Sequence, residues 1–157
     1  MHIRLNILLK FIFLVTLFFS SKLLSIEVGK WTFVNDENWC YIGSIPSKEE
    51  GDYTQRGDTY FLVYRINKDP EPTVQINAGY NYNEEKEVEI TIDQSNFILF
   101  TQGDSAWSNK QDKDIIYAMK KGKNMIVKGI SSRGTLTTDT YTLMGFTAAY
   151  NKLDKEC

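Results

Sequence analysis

The sequence is poor in histidine, cysteine and proline: 157 residues include one histidine, two cysteines and three prolines. The histidine is His2, which lies in an apolar leader, so the part expected to fold has none. A Ser-His-Asp or Cys-His site therefore lacks its base, and most zinc sites lack a ligand. Neither a phosphate-binding glycine loop nor a dinucleotide fingerprint is present. We predict no enzymatic activity, no cofactor and no metal site.

Two other catalytic arrangements stay formally open. Ser131 or Ser132 with Lys128 could form a Ser/Lys pair, although no S-x-x-K spacing occurs in the chain. Carboxylates cluster between positions 87 and 93, but their period-2 alternation with apolar residues is typical of the wet face of a half-buried strand. A small Ser/Lys or carboxylate enzyme is therefore kept only as an alternative function.

The leader has the features of a secretory signal peptide. Arg4 and Lys10 precede an apolar run at 11–19, and small residues such as Ser25 follow it. A membrane-spanning helix needs about 20 apolar residues, so this run is short for the competing hypothesis of a membrane anchor. We predict a signal peptide over residues 1–25 and one folded domain over residues 26–157.

Charge is distributed unevenly in the predicted mature chain. Removal of the leader leaves 15 basic and 20 acidic residues, a net charge of −5, which does not suggest nucleic acid as a partner. Residues 115–157 are nevertheless cationic, with seven basic and three acidic side chains. The sequence leaves two interpretations open: a solvated face, or a patch for an anionic envelope component.

The two cysteines lie at opposite ends of the predicted domain. Cys40 and Cys157 form an even pair in a chain with an export signal, which favours a disulfide bond. Free thiols and intermolecular pairing are the alternatives. Their separation along the chain argues against a redox-active C-x-x-C site.

Strand patterns dominate the chain, at the spacing typical of a β-sandwich or barrel. We predict strands at 30–34, 39–42, 59–66, 73–78, 87–93, 97–101, 125–130 and 136–143. Two helices are predicted. The first spans 112–121, with acidic residues in its first turn, lysines in its last and Gly122 after its end. The second spans 146–156 and continues its apolar face towards Cys157.

Three residues form the candidate binding surface: Trp107, Lys128 and Arg133. Trp107 could anchor a partner or belong to the core, and Arg133 could bind a partner or fix the turn at 131–135. Arg56-Gly57-Asp58 has the form of an adhesive tripeptide, but Gly57 is explained more simply as a turn before a strand. Adhesion through this tripeptide requires both charged side chains at an exposed loop tip.

Short sequence pieces spread over most of the folded part carry a family resemblance. The strongest lie in the second half, at 118–122 (Ala-Met-Lys-Lys-Gly), 127–129, 132–135, 138–141 and 145–149. Upstream pieces fit at 39–41, Pro46, Arg56, 78–80, 92–93 and 106–107. In their order and spacing these pieces resemble the exported bacterial family called invasion associated locus B.

The resemblance implies a mainly β, immunoglobulin-like antiparallel sandwich with small helices, located in the periplasm or at the outer membrane. It implies no enzymatic activity, and it supplies no binding residues. The leading hypothesis is a non-catalytic envelope protein that binds a protein or an anionic envelope component. A secreted adhesin or invasion factor that acts on host cells is the alternative.

Overall fold

The computed structural model describes residues 26–36, 39–66 and 69–157. The predicted signal peptide lies outside these residues. Within them the chain forms ten strands and two helices. The strands are β1 (Thr32–Asp36), β2 (Trp39–Ser44), β3 (Lys48–Gly51), β4 (Tyr60–Ile66), β5 (Thr73–Asn77), β6 (Val88–Ile92), β7 (Ser95–Gln102), β8 (Ser105–Ser108), β9 (Asn124–Ile130) and β10 (Leu136–Thr142). The helices are α1 (Asp112–Lys121) and α2 (Phe146–Glu156).

All ten strands belong to one sheet, in the order β1-β2-β4-β5-β8-β7-β6-β9-β10-β3. Every neighbouring pair is antiparallel. The sheet curls so that its two halves face each other. A contact between them shows this: the rings of Phe61 on β4 and Tyr141 on β10 meet edge to face, with centroids 5.9 Å apart. The mainly β prediction is therefore confirmed, with the two facing layers continuous through a single sheet.

Alternation of apolar and polar residues explains most of these strands. Val88, Ile90 and Ile92 are buried along β6, and the residues between them are partly exposed. On β4, Phe61 and Val63 are fully buried on the inner face, and Leu62 on the other face is only 5 % exposed. Both faces of this strand are therefore covered over its first half.

Both helices have the predicted bounds. α1 buries Ile115, Ile116 and Met119, and the carboxylate of Asp112 accepts a 2.7 Å hydrogen bond from the backbone N–H of Val74 on β5. α2 buries four apolar residues and packs against β1, β2 and α1. Among the described residues, no helix has the length and apolar character required to cross a membrane.

Two strands are missing from the sequence prediction. β3 has the sequence Lys-Glu-Glu-Gly and is exposed throughout, so it lacks an apolar face that would signal a strand. β8 is only four residues long and follows the tight turn at Gly103. Both strands are held by hydrogen bonds to partners distant in sequence or across a hairpin, which a hydrophobic pattern does not report.

Trp31, just before β1, ties the two halves of the sheet together. Its indole N–H donates a 2.9 Å hydrogen bond to the carbonyl of Thr142, which ends β10. Its ring meets Phe61 and Phe146 edge to face, at centroid distances of 6.0 and 4.9 Å. One side chain thus contacts β4, β10 and α2, and it closes this end of the core.

Cys40 and Cys157 form a disulfide bond, with their Cα atoms 6.0 Å apart. The bond joins the residue after α2 to β2, and Cys40 is 8 % exposed. The side-chain amide of Asn35 also donates to the carbonyl of Glu156 at 3.1 Å, and Arg65 pairs with Asp154 at 2.8 Å. The end of α2 is therefore docked onto the sheet by one covalent and two polar links.

Replacement of both cysteines by serine should lower the free energy of unfolding by roughly 2 to 5 kcal/mol, because the bond restricts a long loop in the unfolded chain. Urea unfolding of parent and variant measures the loss. Reductant should weaken the parent and leave the variant unchanged. Equal free energies of unfolding for parent and variant in the absence of reductant would contradict a stabilising role for the bond.

Candidate functional site

A cleft of about 520 Å³ opens where β3 ends and β10 begins. Three backbone segments line it: the loop 52–57 that follows β3, the turn 79–81 that follows β5, and the turn 131–135 with the first residues of β10. Antiparallel curling of the sheet brings these segments together from widely separated parts of the sequence. The volume lies within the range of about 300 to 1,000 Å³ typical of small-ligand sites.

Arg56 forms the base of the cleft, and its side chain is only 3 % exposed. Its guanidinium makes a bidentate ion pair with Asp139 of β10, at 2.6 and 2.7 Å. Further hydrogen bonds run to the carbonyl of Ala78 at 2.7 Å and to the hydroxyl of Thr59 at 3.1 Å. Glu49 of β3 approaches the same guanidinium at 3.3 Å. One buried side chain thus links three of the elements around the cleft.

The environment of Arg56 favours its charged form. Burial by itself lowers the pKa of the guanidinium, but the hydrogen bonds and negative charge of Asp139 more than offset this, so its pKa lies above the ordinary value. The guanidinium also faces the rings of Tyr53 and Tyr80, at 5.6 and 5.2 Å from their centroids. Arg56 is permanently charged and fully paired.

Two tyrosines extend this buried network. The hydroxyls of Tyr80 and Thr137 are hydrogen-bonded at 2.6 Å, and Tyr80 meets Tyr82 edge to face at 5.3 Å. Burial is the main cause that raises the pKa of both phenols above the ordinary value. Both therefore remain neutral at physiological pH, and neither supplies an anionic base to the cleft.

A close approach of two glycines fixes the loop 52–57 against the turn 79–81. The N–H of Gly57 donates to the carbonyl of Gly79 at 2.9 Å. A Cβ on Gly79 would lie 2.3 Å from the carbonyl oxygen of Gly57, and φ at Gly79 is +70°. Only glycine satisfies both conditions without strain. The side-chain oxygen of Asn77 holds the N–H of Gly79 at 2.9 Å.

The turn 131–135 is held by its own serine. The hydroxyl oxygen of Ser131 accepts hydrogen bonds from the N–H groups of Arg133 and Thr135, at 3.3 and 3.1 Å. The N–H of Ser132 donates to the carbonyl of Asn81 at 2.8 Å and joins this turn to the turn 79–81. The turn is therefore fixed by the hydroxyl of Ser131, and not by the side chain of Arg133, which the sequence analysis considered for this role. The side chain of Arg133 is exposed at the cleft, and among the described residues it forms no ion pair.

The structure separates the other two candidate residues from the cleft. Lys128 is exposed on β9, in register with Glu89 of β6 and Thr138 of β10. Trp107 on β8 is half-buried and stacks against the exposed Phe100 of β7, with centroids 6.1 Å apart. Two strands, β7 and β6, lie between β8 and β9 in the sheet. Of the three candidates, only Arg133 lines the cleft.

The tripeptide at 56–58 does not have the exposure that adhesion requires. Its arginine is the buried partner of Asp139, with 3 % of its side chain accessible. Gly57 supplies the close contact with Gly79 rather than a free loop tip. Adhesion through this tripeptide is therefore inconsistent with the structure.

The Arg56–Asp139 pair could not be found from sequence spacing, because 83 positions separate its members. Both residues fall within pieces that carried the family resemblance, at Arg56 and at 138–141. That coincidence was the only signal. The sequence predicts a turn at 131–135, but nothing local in it indicates that this turn lies beside the loop 52–57.

Together, the curled antiparallel sheet, its two helices and the polar cleft define a mainly β domain with an open cleft at one end. The family described as Invasion associated locus B (IalB) protein matches residues 32–154. The chain belongs to this family of exported bacterial proteins, as the sequence resemblance predicted. The crystal structure of invasion associated protein b from Bartonella henselae has a similar fold, with a TM-score of 0.56 over 80 % of this chain and 92 % of that chain, at 17 % identity. The sequence has no significant match among the curated proteins.

Replacement of Asp139 by alanine should destabilise the protein by about 3 to 5 kcal/mol, because it leaves the Arg56 guanidinium buried without a counter-charge. The double variant Arg56→Met/Asp139→Leu removes both charges and should regain much of this loss. Glu71→Gln, in the exposed pair with Lys113, is the matched control and should change little. Urea unfolding measures all three. A double variant no more stable than Asp139→Ala would contradict the buried-charge explanation.

Gly79→Ala should cost clearly more stability than Gly103→Ala. Both glycines have positive φ, +70° and +61°, but a Cβ on Gly103 meets nothing within 4 Å. The control therefore isolates the left-handed backbone strain, about 1 to 2 kcal/mol, and the excess at Gly79 measures the clash with Gly57. Thermal unfolding compares them. Equal losses would show that the glycine contact does not fix the loop.

Proposed function

We propose that this chain is a non-catalytic exported protein of the bacterial periplasm or outer membrane, which binds a protein or an envelope component through the cleft. The observation that carries the proposal is a preformed polar cleft whose base is a buried, fully paired arginine and whose rim presents the exposed side chain of Arg133. A cleft with a fixed base binds without a large ordering cost.

Several independent features support a binding role rather than a reaction. The one histidine of the chain is His2, so no imidazole base is expected in the folded part. The charged group at the base of the cleft is held by Asp139 and cannot exchange a proton near neutral pH. The hydroxyl oxygen of Ser131, one of the serines considered for Ser/Lys chemistry, accepts two backbone N–H groups of its own turn.

Export is supported by three features of different kinds. The leader at 1–25 has the composition of a signal peptide. The Cys40–Cys157 bond belongs to an oxidising compartment. The family is one of exported bacterial proteins. Location in the periplasm or at the outer membrane, rather than release from the cell, is part of the proposal.

A role on host cells is the competing hypothesis, suggested by the names of the family and of the Bartonella henselae protein. The tripeptide at 56–58 does not support this hypothesis, because the side chain of Arg56 is buried. Cell fractionation separates the two hypotheses. Protein confined to the periplasmic and outer-membrane fractions would support the proposal, and protein found mainly in the medium would favour a secreted factor.

A photo-crosslinking amino acid at Ser132, which is exposed at the cleft, should capture a partner in the native envelope. Arg133→Glu should reduce this capture strongly, since it reverses the exposed charge at the cleft. Lys152→Glu on α2 reverses one charge far from the cleft and is the matched control.

Lys128→Glu, tested in the same way, distinguishes the cleft from the outer face of the sheet. If Lys128→Glu abolished capture and Arg133→Glu did not, the binding surface would lie on β9 and the cleft proposal would be wrong. Mass spectrometry of the captured adducts identifies the partner class.

A further inference from the structure

We propose that the cleft is a saccharide-binding site, whose ligand is a glycan segment rich in hydroxyl groups. The inference rests on the proposed function and names the ligand class of the same site. Its grounds are the chemistry of the lining, the charge balance and the rigidity of the three segments.

The lining is dense in hydroxyl and amide groups. Those on exposed or half-buried residues are supplied by Tyr53, Thr54, Gln55, Asn81, Ser132 and Thr135. Of the described residues that line the cleft, none is a leucine, isoleucine, valine or methionine. An acyl chain or an apolar side chain would cover these polar groups without pairing them, which is unfavourable. A sugar offers a hydroxyl at almost every carbon and can pair with many of them.

The charge balance does not favour a polyanion. Arg56 carries a charge at the base of the cleft, but Asp139 and Glu49 already neutralise it. The exposed charges are Asp52 on one segment and Arg133 on another, and they have opposite signs. A guanidinium donates paired hydrogen bonds and a carboxylate accepts them, so neighbouring sugar hydroxyls can satisfy both.

The tyrosines give the cleft its apolar component. Tyr53 and Tyr80 are half-buried, and the Arg56 guanidinium lies between 5 and 6 Å from each ring centroid, which fixes the rings in place. A tyrosine presents an apolar body and a polar tip. This combination matches a sugar ring, in which C–H groups alternate with hydroxyls.

The three lining segments are fixed to one another before any ligand arrives. The N–H of Gly57 is bonded to the carbonyl of Gly79, and the N–H of Ser132 to the carbonyl of Asn81. Preorganisation of this kind limits the entropy lost on binding, which matters for a weakly apolar ligand.

A polar peptide is the main competitor. Extended peptides usually bind by adding to a free strand edge, and the edge beside the cleft is β3, which is four residues long and carries Lys48, Glu49 and Glu50. Short, charged edges disfavour strand addition. The cleft instead offers side-chain hydroxyls and amides, which favours the saccharide.

Amide NMR spectra of the full chain, isolated after export, test the inference. Three probes separate the sources of such a glycan: the N-acetylglucosamine–N-acetylmuramic acid disaccharide, a lipopolysaccharide core oligosaccharide, and sialyllactose as a host-type glycan. At least one should produce saturable shifts confined to residues 52–57, 79–81 and 131–137. Arg133→Ala should raise the Kd for the bound saccharide about tenfold or more, because a charged hydrogen bond is lost. Lys152→Ala, which removes an exposed charge from α2, should leave it unchanged.

No saturable shift with any of the three probes at millimolar concentration, or shifts confined to residues outside the cleft, would overturn the inference. If the crosslinker at Ser132 then captured a protein, the proposed function would stand while the saccharide inference failed. If a saccharide bound and Arg133→Ala bound it as tightly as the parent, the site would not be this cleft.

Discussion

The ion pair between Arg56 and Asp139 is the interaction on which the cleft depends. It connects a loop without regular structure to β10, the strand next to the edge of the sheet. Loops normally remain at the surface because their polar backbone groups require partners. Here the loop buries the guanidinium of Arg56, which donates hydrogen bonds to a carboxylate, a backbone carbonyl and a hydroxyl. The position of the whole segment 52–57 follows from these contacts.

A buried pair of this kind contributes more to uniqueness than to net stability. Removal of two ions from water is costly, and their attraction together with the extra hydrogen bonds does little more than offset that cost. A placement of the loop that withdrew Arg56 would leave Asp139 buried on β10 without its counter-charge, which is far worse. We infer that the pair selects one conformation of the cleft. The Gly57–Gly79 contact supports this role, since it excludes a side chain at the point where the two segments meet.

The sequence predicts most of the helices and strands but not the cleft, because the signals for helices and strands are local and the contacts that form the cleft are not. Hydrophobic periodicity and capping signals are local, so Asp112–Lys121 and Phe146–Glu156 could be bounded from their own residues. The strands with buried faces were found in the same way. β3 has no buried face, and its existence depends on β10, which is far along the chain. Arg56 likewise reads as an exposed residue until the fold brings Asp139 to it.

The two ends of the domain are stabilised by different chemistry, and this separation has a functional consequence. At one end, Trp31, α2 and the Cys40–Cys157 bond close the core with rings and a covalent link. At the other, hydrogen bonds and one ion pair leave an open polar cleft. An open polar cleft requires a stable body to hold its lining segments apart in water. Because the closed end contributes this stability, the side chains at the cleft end can remain polar and exposed, as the proposed binding role requires.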